Sequence, residues 1–248
     1  MAGGDTAPEG VRVYETGEDV AAAAARCFAE LAGEAVAARG LFVVALAGGT
    51  TPRRVYELLA SDGLRGRVNW PRVHVFFGDE RMVPPDDAES NFRMARESLL
   101  GRVSIPAENV HRIEGRGDAA ANAARYEEEL RGLFGDAGWP RFDLVLLGMG
   151  DDGHTASLFP ATAALDAGRA WVAANRVERL GAWRVTLTAP AINAARHVIF
   201  LVSGAGKAAR LREVLRGGRD PRRLPAQLIR PADGTLEWFV DRAAAAML

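Results

Sequence analysis

Three apolar runs constrain this chain most: residues 41–47 (Leu-Phe-Val-Val-Ala-Leu-Ala), 73–77 (Val-His-Val-Phe-Phe) and 142–147 (Phe-Asp-Leu-Val-Leu-Leu). Each has strand length, and a glycine with polar company follows each. A strand that is apolar at nearly every position has no face to give to water. It belongs in a parallel sheet covered on both sides.

Helical patterns fall between these runs. Residues 18–39 are Ala-rich, with Val20, Ala24, Cys27, Leu31 and Ala35 at helical spacing. Pro52 opens a helix that runs to Leu59. Residues 91–100, 119–134, 207–215 and 242–248 read as further helices, with Glu127, Glu128 and Glu129 on a solvated side. Residues 11–15, 184–188, 197–202 and 236–240 read as further strands. Strands alternating with helices predict an α/β fold: a doubly wound, mostly parallel sheet with helices on both faces, Rossmann-like. No marked linker or repeat divides the 248 residues, so a single domain is expected, with residues 1–10 as a flexible tail.

The formal net charge of −1 supplies no basic field, so neither nucleic acid nor a membrane surface is an expected partner. No apolar run approaches a membrane span, and the expected location is cytoplasmic. The expected state is a monomer or weak homo-oligomer. Cys27 is the only cysteine, which excludes an internal disulfide and a Cys-based metal cluster. On a helix, it reads as a buried structural thiol. Lys207 is the only lysine among 31 cationic residues. A GC-rich genome gives the same arginine bias, and one lysine can survive it by chance; a compact ammonium kept among arginines also points to a place that a planar guanidinium does not serve.

Ligands of open α/β sheets bind beyond the carboxyl ends of the strands. Four polar clusters fall there. Gly48-Gly49-Thr50-Thr51-Pro52 joins a strand to a helix, where free N–H groups and the helix dipole favour an anion. A plain Gly turn with a Thr cap reads the same way, and no Walker or dinucleotide fingerprint closes it. Gly78-Asp79-Glu80-Arg81 offers two acids and a base, to orient a sugar and grip a phosphate or merely to form a salt-bridged turn. Residues 148–160 place His154 beside Asp151 and Asp152. A histidine titrating near neutrality suits a general base. Thr155 and Ser157 are candidate donors or local caps. His74 and His197 lie in strand patterns and read as structural, and His111 stands in a loop without such company. The fourth cluster is Arg184, opening a strand, and Lys207, opening a helix. A lysine opposes the dipole at a helix N-terminus, and a bound anion would relieve that.

Together these segments resemble the 6-phosphogluconolactonase family. The matching stretches are residues 46–52, residues 77–83 with Ser90-Asn91-Phe92, residues 148–160, residues 184–188 with 192–196, Gly204-Ala205-Gly206-Lys207, and Pro225-Ala226-Gln227. The run Asp-Gly-His-Thr-Ala-Ser-Leu-Phe-Pro is the most specific of them. The resemblance implies hydrolysis of 6-phosphoglucono-1,5-lactone to 6-phosphogluconate in the oxidative pentose phosphate pathway, with no metal and no organic cofactor. It implies that His154 activates water and that Asp152 helps to hold it, with Asp151 equally close in sequence. Arg81, Arg184 and Lys207, with Gly48, Gly49, Thr50 and Asp79, would then grip the phosphate and sugar oxygens.

The same resemblance reaches glucosamine-6-phosphate deaminases, which share the fold. Their Asp-Gly-His segment continues Ile-Ala-Phe-Asn-Glu-Pro, and Phe159 stands here at that glutamate's position. Phenylalanine cannot transfer a proton, which favours the lactonase. A sugar-phosphate sensor is a third reading. It would need a DNA-binding module, for which the first forty residues hold too little.

Overall fold

The computed structural model describes residues 8–136 and 138–248. Residues 1–7, most of the expected tail, lie outside them. Pro8 to Gly10 already join the fold, since Val11 donates to the Pro8 carbonyl and Trp238 to the Gly10 carbonyl.

The chain runs β1 (Val11–Tyr14), α1 (Gly17–Arg39), β2 (Phe42–Leu46), α2 (Thr50–Leu59), β3 (Val73–Phe77), β4 (Asp79–Arg81), α3 (Asn91–Ala95) and α4 (Ala119–Phe134). It continues through β5 (Leu144–Gly148), β6 (Val172–Val177), β7 (Ala182–Leu187), α5 (Ala189–Asn193), β8 (His197–Val202), α6 (Ala208–Arg216), β9 (Thr235–Asp241) and α7 (Arg242–Ala245). Six strands form one parallel sheet in the order β1-β9-β8-β5-β2-β3. All five residues of β2 are buried, as its unbroken apolar run requires.

Strand order reverses at β2. The chain steps outward from β2 to β3, then returns to place β5 on the other side of β2. The loops after β2 and β5 therefore diverge and leave a crevice, the usual ligand position in such sheets.

Local signals set the helices. Thr16 and Asp19 form a capping box at the start of α1, and Gly40 ends it in the left-handed region at φ 82°. Buried Val20, Ala24, Phe28 and Ala35 give α1 its inner face. Two tyrosines then pin the strand ends beside the crevice. The Tyr56 hydroxyl donates to the Ala47 carbonyl and accepts from its amide, at 2.8 and 3.0 Å. Tyr126 does the same to Phe77, at 3.0 and 2.7 Å. Each phenol satisfies backbone groups that the end of a strand would otherwise leave buried and unpaired.

The second sheet, β4-β7-β6, is small and antiparallel. Strands β4 and β6 have no counterpart among the strands expected from the sequence, and the strand carrying Arg184 belongs here and not to the parallel sheet. Glu127 also differs from expectation. It is half-buried and accepts from the Trp171 and Val172 amides at 2.8 and 3.2 Å, tying α4 to the start of β6. The helix expected over 91–100 is α-helical only to Ala95 and continues as a π-helical turn.

Candidate active site

The crevice holds a cavity of about 310 Å³ at the carboxyl ends of β2, β3, β5 and β8. Gly48, Gly49 and Thr50 line it from the first expected cluster, Asp79 and Arg81 from the second, His154 from the third and Lys207 from the fourth. Asp152 and Arg184 stand just outside that wall.

Glycine shapes the loop after β2. A Cβ on Gly48 would lie 2.0 Å from Asn91 Oδ1, so no larger residue fits under that side chain. Gly49 adopts φ 106° and is the N-cap of α2 without a side-chain cap bond. The first amides of α2 are thus left to the cavity, together with the positive end of the helix dipole.

The loop after β5 carries the histidine. His154 Nδ1 lies 2.5 Å from Asp152 Oδ1, and the same oxygen accepts the His154 amide at 3.0 Å. Nε2 is the ring nitrogen left toward the cavity. Burial opposes ionisation of Asp152, but the hydrogen bond and charge of His154, its amide and the Arg179 charge outweigh it. Together they hold the carboxyl at about 2. A Cβ on Gly150 would fall 2.0 Å from His154 Nδ1, so the imidazole needs a glycine there. Ala156, which also lines the cavity, is held at φ 46°, an unfavourable region for a residue with a side chain.

The two candidate aspartates separate cleanly. Asp152 faces His154, whereas Asp151 is exposed and lies 2.5 Å from Lys207 Nζ. Lys207 ends a 3₁₀ turn (Ala205–Lys207) and is the N-cap of α6. Asp151 relieves part of the charge conflict expected there.

Several candidates are structural. Thr155 is fully buried and donates to the Gly148 carbonyl at 2.9 Å. The buried Ser157 hydroxyl donates to Asp79 Oδ2 at 2.6 Å, which aims that carboxylate. Glu80 turns away from the cavity. It accepts from the amides of Arg81, Asn91 and Phe92 at 2.8 Å each and from Ser90 Oγ at 3.0 Å, holding the start of α3. Burial pushes its carboxyl up in spite of these bonds. Arg184 is the register partner of Arg81 and donates to the Trp183 carbonyl at 3.0 Å. Burial and the neighbouring Arg81 charge lower its pKa, so a bound anion beside this pair is favoured. His111 has company after all. Its Nε2 meets His74 Nδ1 at 3.1 Å and its Nδ1 meets Glu129 at 2.7 Å, and none of the three lines the cavity. His197 Nδ1 pairs with Thr235 at 2.9 Å.

Three participants escaped the sequence reading. Asn91 covers Gly48 and donates to the Asp79 carbonyl at 2.9 Å. Phe159 stacks on His154 with centroids 4.1 Å apart. Arg179 pairs with Asp152 Oδ2 from a turn of the small sheet. Asn91 and Phe159 lie in motifs already singled out, but Arg179 carries no local signal. Among the described residues, no group of three His, Cys, Asp or Glu is arranged to hold a metal, and no helix is long and apolar enough to cross a membrane.

The model of a family described as glucosamine-6-phosphate isomerases/6-phosphogluconolactonase matches residues 15–238. A 6-phosphogluconolactonase of Nostoc sp. is 44% identical over 217 residues, covering 86% of this chain and 88% of its own. One of Synechocystis sp. is 45% identical over 214 residues, covering 85% and 86%. The solved 6-phosphogluconolactonase from Trypanosoma cruzi aligns with a TM-score of 0.86 at 30% identity over 96% of each chain. A monomeric glucosamine-6-phosphate deaminase aligns with a TM-score of 0.80 over 96% of this chain and 99% of its own. Its identity is 22%, and that likeness is one of fold.

Proposed function

The chain belongs to the glucosamine-6-phosphate isomerase/6-phosphogluconolactonase family, and within it we propose that the chain hydrolyses 6-phospho-D-glucono-1,5-lactone to 6-phosphogluconate in the pentose phosphate pathway. The observation that carries this reading is the Asp152–His154 pair at one side of a cavity whose other walls are cationic and N–H-rich.

Asp152 accepts from Nδ1–H, which leaves the Nε2 lone pair free for a water proton. As that water attacks the lactone carbonyl, the imidazole takes its proton. When the ring C–O bond breaks, the imidazolium returns a proton to the leaving ring oxygen. The substrate phosphate is held by the free amides of Thr50 and Thr51, by Arg81 beside Arg184, and by Lys207. Holding a remote phosphate positions the carbonyl, and positioning is worth as much to catalysis as the base itself. Asp79, aimed by Ser157 and Asn91, is placed to accept from sugar hydroxyls.

The deaminase reading fits less well. Where it needs a proton-transferring carboxylate, Phe159 packs on the histidine with 5% of its surface exposed. The chain acts as one functional unit, a reading supported by a continuous hydrophobic core. We further propose a cytoplasmic location and a monomer or weak homo-oligomer, the latter tested by sedimentation over a range of concentrations.

The test is hydrolysis of freshly generated lactone coupled to 6-phosphogluconate dehydrogenase, with Lys207→Ala beside wild type. Fast wild-type turnover with a raised KM in the variant is expected. Turnover of glucosamine 6-phosphate without lactone hydrolysis would overturn the reading.

A further inference from the structure

The catalytic histidine and three side chains around it form a closed circuit. His154 meets Asp152 at 2.5 Å. Its ring stacks on Phe159 at 4.1 Å and 27°. The Arg179 guanidinium lies 5.2 Å over the other partner of that stack, the Phe159 ring, and also pairs with Asp152 Oδ2. Arg179 reaches in from the 3₁₀ turn between β6 and β7, closed by Gly181 at φ 60°. Its side chain is 55% exposed and lines no part of the cavity.

We infer that Arg179 is a positioning residue for lactone hydrolysis, fixing the plane of Asp152 and through it the aim of His154 Nε2. This rests on the reading of His154 as the base. Asp152 Oδ1 serves the histidine and Oδ2 serves the arginine, so the carboxylate cannot rotate without breaking one bond. A planar guanidinium meets both a carboxylate oxygen and a ring face, which an ammonium does less well. The arginine charge also tempers the pull of Asp152 on a proton at the imidazole. The other charges near this pair are Lys207 and Arg210, both held to Asp151, with Asp79 and Arg81 on the cavity wall.

The test is Arg179→Ala and Arg179→Lys, with kcat, KM and the pH profile of lactone hydrolysis. A misplacement of about 1 Å can cost about 100-fold, and loss of one of two anchors is expected to lower kcat about tenfold with KM little changed. In Arg179→Ala the acid limb of kcat/KM moves to higher pH, because Asp152 then favours the protonated imidazole unopposed. Arg179→Lys restores the limb and only part of kcat. A raised KM at unchanged kcat, an unmoved acid limb, or no effect overturns the inference. Thermal unfolding midpoints matching wild type show that both variants fold.

A second readout does not need activity. The His154 Nδ1–H proton is expected as a slowly exchanging downfield NMR resonance in wild type and as a lost or broadened one in Arg179→Ala. Its persistence in the variant overturns the inference. If the wild-type protein does not hydrolyse the lactone yet this resonance behaves as expected, the proposed function fails and the role of Arg179 in holding the pair stands.

Discussion

Asp152 Oδ1 holds both the side chain and the backbone amide of His154, two residues further on, at 2.5 and 3.0 Å. So short a loop is possible because Gly150 donates to the His154 carbonyl and Gly153 takes φ 83°. The carboxylate is therefore both the orienting group of the site and a clamp on its own turn.

That clamp has a pH signature. The Asp152 carboxyl titrates at about 2 in the folded protein, below the ordinary 3.8. A depressed carboxyl stabilises the fold above its unfolded pKa and loses that contribution as pH falls through the folded one. The stability difference between wild type and Asp152→Asn in urea is expected to be full above about pH 4 and to close as pH falls toward about 2. A difference that stays constant across that window contradicts the assignment.

Gly150 is expected to accept no side chain. Its Cβ would meet His154 Nδ1 at 2.0 Å, and the imidazole must move to make room. Gly150→Ala should lower kcat by about 100-fold, the cost of misplacing a reacting group by about 1 Å, and leave the far-UV circular dichroism unchanged. Near-normal turnover would mean that the loop relaxes without turning the ring.

Cys27 should be chemically quiet. Burial pushes its thiol up to about 11, with further contributions from the Glu237 and Glu30 charges. The thiolate is the reactive form, so labelling by a disulfide reagent at about pH 8 should be slow in the native protein and fast in denaturant. Equal rates in both states would contradict this environment.

The buried strands were legible because burial on both faces leaves an unbroken apolar run. Helix α4 was legible because its amphipathic stripe runs the whole length of 119–134. The small sheet was not. Strand β4 is Asp-Glu-Arg, and most partners of its buried acids lie ten or more positions away, so its polarity reads as a turn. Strand β6, Val-Ala-Ala-Asn-Arg-Val, has only a weak alternation, and its pairing with β7 supplies the missing specification. The same limit applies at the site. Asp151 and Asp152 are neighbours with the same chemistry, and only the dihedrals of the turn send one to Lys207 and the other to His154. Arg179 reaches Asp152, 27 positions earlier, from the turn between β6 and β7, and nothing local to residue 179 announces it.

Whether His154 activates water for attack on the phosphorylated lactone is tested most simply by stopped-flow hydrolysis of fresh 6-phosphoglucono-1,5-lactone with wild type and His154→Ala. Fast wild-type turnover is expected, with kcat lowered about 10²–10⁴-fold in the variant, the usual worth of a general base, and KM little changed. Undiminished turnover in His154→Ala would remove His154 from the mechanism.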